Sequence, residues 1–370
     1  MKILFIDLPG KIGGAQKSSL LFLRELRKKG LEFHSIVFGE GEYSAALSKL
    51  GRISIIKGGD ILKFSRYKPK IKPEFFKELF DISSSVALIC KQSNPDIIYT
   101  NSLKTHIIGS IVSVKTKKAL VWHFRDIVFP SYFLPMYNLL AITSKAKIIT
   151  VSKFVSKQFI KSEVVYNPVD FDLFNPYIKP SLNFGKKVIG YVANFTPWKG
   201  HKVFIDVAKM LSRREDIIFL ICGGDIYETL GNVGYYDEVL KYAKQTENVK
   251  ILGFREDINS VMASFDCLVH TPLKPEPFGR VITEAQSMGK LCIAGRKGGI
   301  SEIIFDKING ILVDDKDIVR KISEQIVYNI DNPEFSERLK RNAQNFARLL
   351  FNPYRCSEKL LNVFKAAKNE

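Results

Sequence analysis

The sequence predicts an α/β protein built from two doubly wound parallel sheets. Three observations carry that prediction. Short β-branched or aromatic runs alternate with helical stretches through most of the chain, the pattern of repeated strand–helix–strand units. The alternation halts at a proline-rich stretch, residues 167–186 (NPVDFDLFNPYIKPSLNFGK), and then starts again. At 370 residues the chain has room for about two domains, each with its own core.

The first strand is residues 2–7 (KILFID), which runs into the glycine-rich turn Pro9-Gly10-Lys11-Ile12-Gly13-Gly14. Residues 15–29 then place Leu20, Leu23 and Leu26, with Phe22, at helical spacing, and Gly30 stops the helix. Strand-like runs recur at 33–38, 53–56, 96–100, 120–123 and 147–151. After the proline-rich stretch come a strand at 187–193, a helix at 201–212, and strands at 217–222, 249–253, 267–270 and 291–294. Residues 280–288 (RVITEAQSM) have helix-forming composition, with Gly289 as a C-terminal stop. Residues 352–368 open with Asn-Pro and are amphipathic. The expected division is a domain at 1–170, a linker at 171–185, a domain at 186–350 and a terminal helix at 351–370.

Composition narrows the class. A hydrophobic content of 46% and a charged content of 25% are those of a soluble globular protein. The most apolar run, 127–142, is broken by Pro130, Ser131, Pro135 and Asn138, short of the roughly 18 residues a membrane helix needs. MKILFIDLPG has one lysine and an apolar run ended at once by Asp7, so a cytoplasmic protein is expected. Cys90, Cys222, Cys267, Cys292 and Cys356 form no Cys-x-x-Cys pair, and they read as small buried hydrophobes. The net charge of +18 is unevenly spread. Residues 1–180 hold 28 Lys and Arg against 14 Asp and Glu, a balance of +14; residues 181–370 hold 28 against 24, a balance of +4.

The chemistry concentrates in residues 271–302, TPLKPEPFGRVITEAQSMGKLCIAGRKGGISE. Proline and glycine make 274–279 a loop, and that loop leads into the helix at 280. Backbone N–H groups from Phe278 and Gly279 onward therefore meet the first turn of a helix, a place that attracts phosphate or sugar hydroxyls. Glu276 stands before the turn and Glu284 more than one turn inside the helix. Carboxylates so placed can hold hydroxyls at opposite ends of one elongated polar ligand.

Glu276 and Glu284, with the intervening EPFG and EAQSMGK, the Gly298-Gly299-x-x-Glu302 sequence and NGILV at 309–313, resemble the E-x7-E region of retaining family 4 glycosyltransferases with the GT-B fold. Further matches extend through most of the chain: GGAQKSSLLFLREL, VSKFVSKQF, VVYNPVDFDLF and GYVANFTPWKGHKVFIDVA. The resemblance implies two Rossmann-like domains facing a cleft, with the C-terminal helix crossing back to the first. It implies an acceptor-binding first domain, a donor-binding second domain and transfer of a hexose from a nucleoside-diphosphate sugar to a hydroxyl. The acceptor would be a glycan or lipid-linked, in cell-surface polysaccharide or lipopolysaccharide synthesis.

By the same resemblance, Gly13 and Gly14 approach the donor diphosphate, and Lys199 stabilises the departing phosphate. Glu276, with the Phe278 and Gly279 N–H groups, holds sugar and diphosphate, and Glu284 grips the ribose hydroxyls. The base lies near Phe254 and Arg255. His123, ending a strand in VWHFRD, orients the transferred sugar or the attacking hydroxyl. The family usually has a second cation where this chain has Asn194. Either Asn194 donates a neutral hydrogen bond there, or Arg280 or another cation substitutes. His34, His106, His201 and His270 lack a motif context.

No metal and no cofactor beyond the sugar nucleotide is expected, since Asp170-Phe171-Asp172, which has the D-x-D form, falls in the linker match. GEGEYS at 39–44 lacks the third glycine of a dinucleotide fingerprint and sits on the second strand. An NAD(P)-dependent oxidoreductase is therefore disfavoured. A nucleic-acid-binding protein, suggested by a pI near 9.5, has no recognisable motif. Lys63, Arg66, Lys68, Lys70 and Lys72, with Lys57 and Lys77, crowd a segment interleaved with aromatic and aliphatic residues. They suggest peripheral contact with an anionic membrane on its cytoplasmic face.

Overall fold

The computed structural model describes residues 1–8, 11–57, 73–128, 131–224 and 233–369. They divide into two units, Met1–Pro168 with Pro353–Glu370, and Val169–Asn352.

The first unit is built on a parallel sheet of seven strands among the described residues. These are β1 (Lys2–Ile6), β2 (Glu32–Val37), β3 (Arg52–Ile55), β4 (Ile97–Thr100), β5 (Ala119–Phe124), β6 (Lys147–Thr150) and β7 (Glu163–Val164), in the order β3-β2-β1-β4-β5-β6-β7. β1 is central, with Ile3 paired to Phe33 on one side and Ile97 on the other. Its residues Ile3 to Ile6 are all buried, which is why a strand covered on both faces reads as a continuous apolar run. The helix Gly14–Lys28 follows β1 and buries Leu21, Phe22, Leu23 and Leu26. The two-residue β7 was not foreseen, because a strand that short has no period to read.

The helix Pro353–Lys368 belongs to this unit although it comes last in the chain. Leu360, Val363, Phe364 and Ala367 enter the first unit's core, and the Phe364 ring lies edge-on to Tyr99 at 5.1 Å. Lys368 bridges Asp96 at 2.8 Å, and Lys29 pairs with Glu358.

The second unit repeats the topology. Its strands β8 (Lys187–Val192), β9 (Ile217–Cys222), β10 (Val249–Gly253), β11 (Cys267–His270), β12 (Leu291–Gly295) and β13 (Ile311–Val313) run parallel in the order β10-β9-β8-β11-β12-β13. β13, three residues long, was not foreseen either. The stretch expected to be a linker is part of this unit. Ser181 N donates to Ser260 O at 3.0 Å, and Leu182 N to Ser264 Oγ at 3.1 Å. The chain thus passes between units at Pro168/Val169 and again at Asn352/Pro353.

In each sheet the winding direction reverses once, between β1 and β4 and between β8 and β11. Ligands of open parallel sheets bind outside the carboxyl ends of the strands at such a reversal. Truncating Phe364, fully buried against Tyr99, tests the role of the terminal helix. Phe364→Ala is expected to cost about 3–5 kcal/mol in the denaturant transition of the first unit. A transition left unshifted would mean that the helix adds nothing to that core.

Candidate functional site at the carboxyl edge of the second sheet

Two loops meet beyond the carboxyl ends of β8 and β11. The loop after β8 ends in the short 3-10 turn Pro197–Lys199, followed by Gly200 at φ +86°. A Cβ at Gly200 would lie 2.0 Å from the Thr271 carbonyl oxygen, so only glycine lets the loop cross the end of β11 there. Thr271 Oγ1 donates to Gly200 O at 3.3 Å, and Leu273 N to Trp198 O at 2.7 Å, which stitches the two loops together.

This stitching sets Lys199 opposite Glu276. Lys199 Nζ donates to Glu276 Oε2 at 2.7 Å while lying 3.9 Å from the centre of the Trp198 ring. His270, the last residue of β11, brings Nε2 within 3.2 Å of the same carboxylate oxygen. Burial holds the His270 imidazole below its ordinary range, though Glu276 pulls the other way, so the ring is neutral and its Nε2–H donates. Burial works to raise the Glu276 carboxyl; the Lys199 ammonium and His270 overcome it and hold the group at about 2. His270 was set aside in the sequence for want of a motif. The strand-end position that drew attention to His123 would have found it too.

The loop carrying Glu276 is fixed from below. Glu276 and Gly298 form a parallel bridge, and Gly299 N donates to Glu276 O at 2.8 Å. Gly298 has φ +64°, and a Cβ there would stand 2.3 Å from Glu276 O. The loop then turns at Gly279 into the helix Arg280–Ser287. Phe278 turns its side chain into the core, edge-on to Phe351 at 5.6 Å, which leaves its backbone as the part available for a ligand. Glu284 is buried, and Arg280, one turn earlier, donates to its Oε1 at 2.6 Å. Lys199 and Glu276 are thus in one cluster, and Arg280 and Glu284 in a second on the adjoining helix.

The remaining donor-side residues lie along the same edge. Ala193 N bonds Cys222 O, Phe195 N bonds Gly224 O and Gly223 N bonds Gly253 O, so the ends of β8, β9 and β10 are in register. Asn194 is half-buried there. Phe254, just past β10, is exposed, and the Arg255 guanidinium is committed to Asp257 by two bonds of 2.7 Å.

In the first unit, Gly13 caps the helix Gly14–Lys28 through its carbonyl, which accepts from Lys17 N at 3.0 Å. His123 is fully buried in β5. Its Nδ1 lies 2.7 Å from the Tyr99 hydroxyl and 3.4 Å from Arg125 Nη2. Arginine can only donate, so Nδ1 carries the lone pair and Nε2 the proton. Burial holds this ring, too, well below the usual histidine range. Sequence reading missed the neighbours that surround it. Asn101 donates to Asp7 Oδ2 at 2.8 Å and to Ser19 Oγ at 2.7 Å, while its own oxygen accepts from Arg125 Nε. Tyr43 adds a bond to Asp7 at 3.0 Å, and burial raises the Asp7 carboxyl. These residues come from six points in the chain with no shared motif, so no local pattern announced them.

The D-x-D at 170–172 forms a local turn, in which Asp172 N bonds Asp170 Oδ1 at 3.2 Å and Phe174 N bonds Asp170 O at 2.8 Å. All five cysteines are free and buried. Lys63, Arg66, Lys68, Lys70 and Lys72 lie outside the described residues. No helix among the described residues is long and apolar enough to cross a membrane.

Two parallel α/β units of this topology make up the fold of the GT-B glycosyltransferases. Residues 177–346 match the family described as Glycosyl transferases group 1. The structure of Anabaena Alr3699/HepE in complex with UDP and glucose aligns with a TM-score of 0.80 over 99% of both chains, at 24% identity, a likeness of fold. The chain is 31% identical over 216 residues to an uncharacterized glycosyltransferase of Methanocaldococcus jannaschii, MJ1178, covering 56% of each protein. It is 26% identical over 274 residues to a UDP-Gal:alpha-D-GlcNAc-diphosphoundecaprenol alpha-1,3-galactosyltransferase of Escherichia coli, covering 64% of this chain and 68% of that one. In the first relatives the match spans 56% to 66% of their length.

The buried carboxylate gives the cluster a pH signature. Glu276 is held below its ordinary value of 4.5, so its ionisation stabilises the fold above that pH. The contribution, on the order of 3 kcal/mol, is lost as pH falls towards 2. Glu276→Gln is expected to flatten the acid limb of stability in thermal unfolding between pH 6 and pH 2.5. An acid limb identical to that of the unsubstituted protein would show that Lys199 and His270 do not hold this charge.

Proposed function

We propose that the protein is a retaining, metal-independent glycosyltransferase that moves a hexose from a nucleoside-diphosphate sugar to a hydroxyl of a glycan or lipid-linked acceptor. The observation that carries this reading is the Lys199–Glu276–His270 cluster at the strand-order reversal of the second sheet, inside the segment matched to the family. A nucleotide sugar is supported by two relatives: HepE was solved with UDP and glucose, and the E. coli galactosyltransferase is named for UDP-Gal. The latter's name also specifies a diphosphoundecaprenol-linked acceptor.

The donor diphosphate would meet the N-terminus of the helix Arg280–Ser287, where the dipole favours anions. Lys199, already held between Trp198 and Glu276, would share its charge with the leaving phosphate as the anomeric C–O bond breaks. The acceptor oxygen bonds to the anomeric carbon on the same face, and its proton passes to the departing phosphate oxygen. Glu284 would accept from the ribose hydroxyls with one oxygen while Arg280 occupies the other. That pairing would also bring a cation to the phosphate side, in place of the one the family usually has where this chain has Asn194.

Titration of the purified protein with UDP, GDP and ADP identifies the base. Glu284→Ala is then expected to weaken binding of the preferred nucleotide by about 1.5–3 kcal/mol, a rise in Kd of roughly tenfold or more. Unchanged affinity would remove the donor site from this helix. With a matching sugar nucleotide, turnover is expected to persist in EDTA and the product to keep the donor's anomeric configuration by NMR. Inversion of the anomeric centre would contradict the retaining assignment, and loss of activity in EDTA the metal-independent one.

A further inference from the structure

The helix Leu134–Thr143 of the first unit is apolar on its outward face as well as its inward one. Its inward residues are Tyr137 and Ala141. Tyr137 packs edge-on to Trp122 and Phe124, and its hydroxyl donates to Leu103 O at 3.2 Å. The opposite face carries Met136, Leu139 and Ile142, continued by Tyr132 in the preceding turn Ser131–Phe133, a stripe at spacings of three and four. Tyr132, Leu139 and Ile142 are 64%, 62% and 66% exposed. Scattered exposed apolar residues are ordinary, but three aligned on one short helix and continued by a fourth in the turn before it are not.

The sequence around the stripe carries charge of one sign. Residues 127–162 contain no Asp or Glu and five lysines: Lys145, Lys147, Lys153, Lys157 and Lys161. Lys145 is exposed directly after the helix, its N–H bonded to Ile142 O at 3.2 Å. Ile160 is 83% exposed between the exposed Lys157 and Lys161.

We propose that this face docks the protein on an anionic lipid bilayer, with Tyr132, Met136, Leu139 and Ile142 inserted shallowly and the lysines on the headgroups. A second copy of the chain would bring like charges together. A nucleic acid would accept the lysines but offer no apolar phase to Leu139 and Ile142. An anionic bilayer satisfies both halves of the surface. The ten-residue helix is too short to span the hydrocarbon, so it lies in the plane of the interface. Each lysine near such a surface raises partitioning by roughly fivefold, and salt screens the effect. The inference rests on the proposed lipid-linked acceptor for its purpose, because it names the surface that would bring the enzyme to such a substrate. Its test needs neither donor nor acceptor.

The full chain is sedimented with phosphatidylcholine vesicles with and without phosphatidylglycerol. Binding is expected only with the anionic lipid, and is expected to fall at high salt. The double variant Leu139→Asp/Ile142→Asp alters exposed positions only, and is expected to lower partitioning about tenfold or more with an unchanged unfolding transition. Lys145→Glu/Lys157→Glu is expected to weaken it in the same direction. Equal partitioning of the unsubstituted protein and the double variant would overturn the proposal. So would a wild-type dimer in solution that the double variant turns into a monomer, with no response to anionic lipid. UDP affinity, measured on the same proteins, reports on the donor reading alone, so the two can fail separately.

Discussion

The approach of Gly298 to the backbone of Glu276 is the constraint on which the second unit's polar edge depends. With a Cβ 2.3 Å from a carbonyl oxygen, the parallel bridge between these residues could not form. That bridge keeps the Glu276 loop close against the sheet and buries a carboxylate that would otherwise be solvated. Burial of a charge is costly unless it is paired. Lys199 and the Nε2–H of His270 provide the pairing, and each is placed by the sheet itself: His270 ends β11, and Lys199 is held by the Gly200 crossing over Thr271. A packing restriction at one glycine thus leads to a specific arrangement of charge.

The two units share a strand order but have different edges. The second has a lysine, a neutral histidine and a carboxylate in direct contact. In the first, a single amide, Asn101, uses both ends to connect Asp7 on β1's side with Arg125 on β5's side. Asn101 follows β4, which adjoins β1 at the reversal in strand order, so the network occupies the position where such sheets bind ligands. Arg125 donates to Asn101 and to Asn167 and lies 3.4 Å from His123 Nδ1, so the network holds its guanidinium beside the histidine ring.

What could be read from the sequence follows from the length scale of each feature. β9 and β11 were legible to the residue because a buried parallel strand is an uninterrupted apolar run between turns, and β10 was legible although Lys250 interrupts its run. β7 and β13 were not, since two or three residues carry no period. The relation of Glu276 to Glu284 was visible because one loop and one helix span it. Its tie to Lys199, 77 residues away, came only with the family resemblance, and its tie to His270 was missed. The Asp7–Asn101–Arg125 network lay beyond reach for the same reason. The linker was misjudged differently: three prolines signalled irregular backbone correctly, but irregular backbone can still be hydrogen-bonded into a domain, as Ser181 and Leu182 are.

A buried ammonium–carboxylate pair is poor evidence of stabilisation, because the cost of removing both charges from water nearly offsets their attraction. Apolar residues of similar volume between β8 and β11 would support the fold about as well. What the pair supplies instead is an ammonium fixed between the Trp198 ring and a carboxylate oxygen. Under the proposed function, that state matters. A solvated lysine would have to shed water and lose side-chain entropy as the glycosidic bond breaks, and that reorganisation would add to the barrier. Here folding has already fixed the side chain in one place. The only change left at the moment of reaction is the redistribution of Lys199's charge from Glu276 towards a phosphate oxygen.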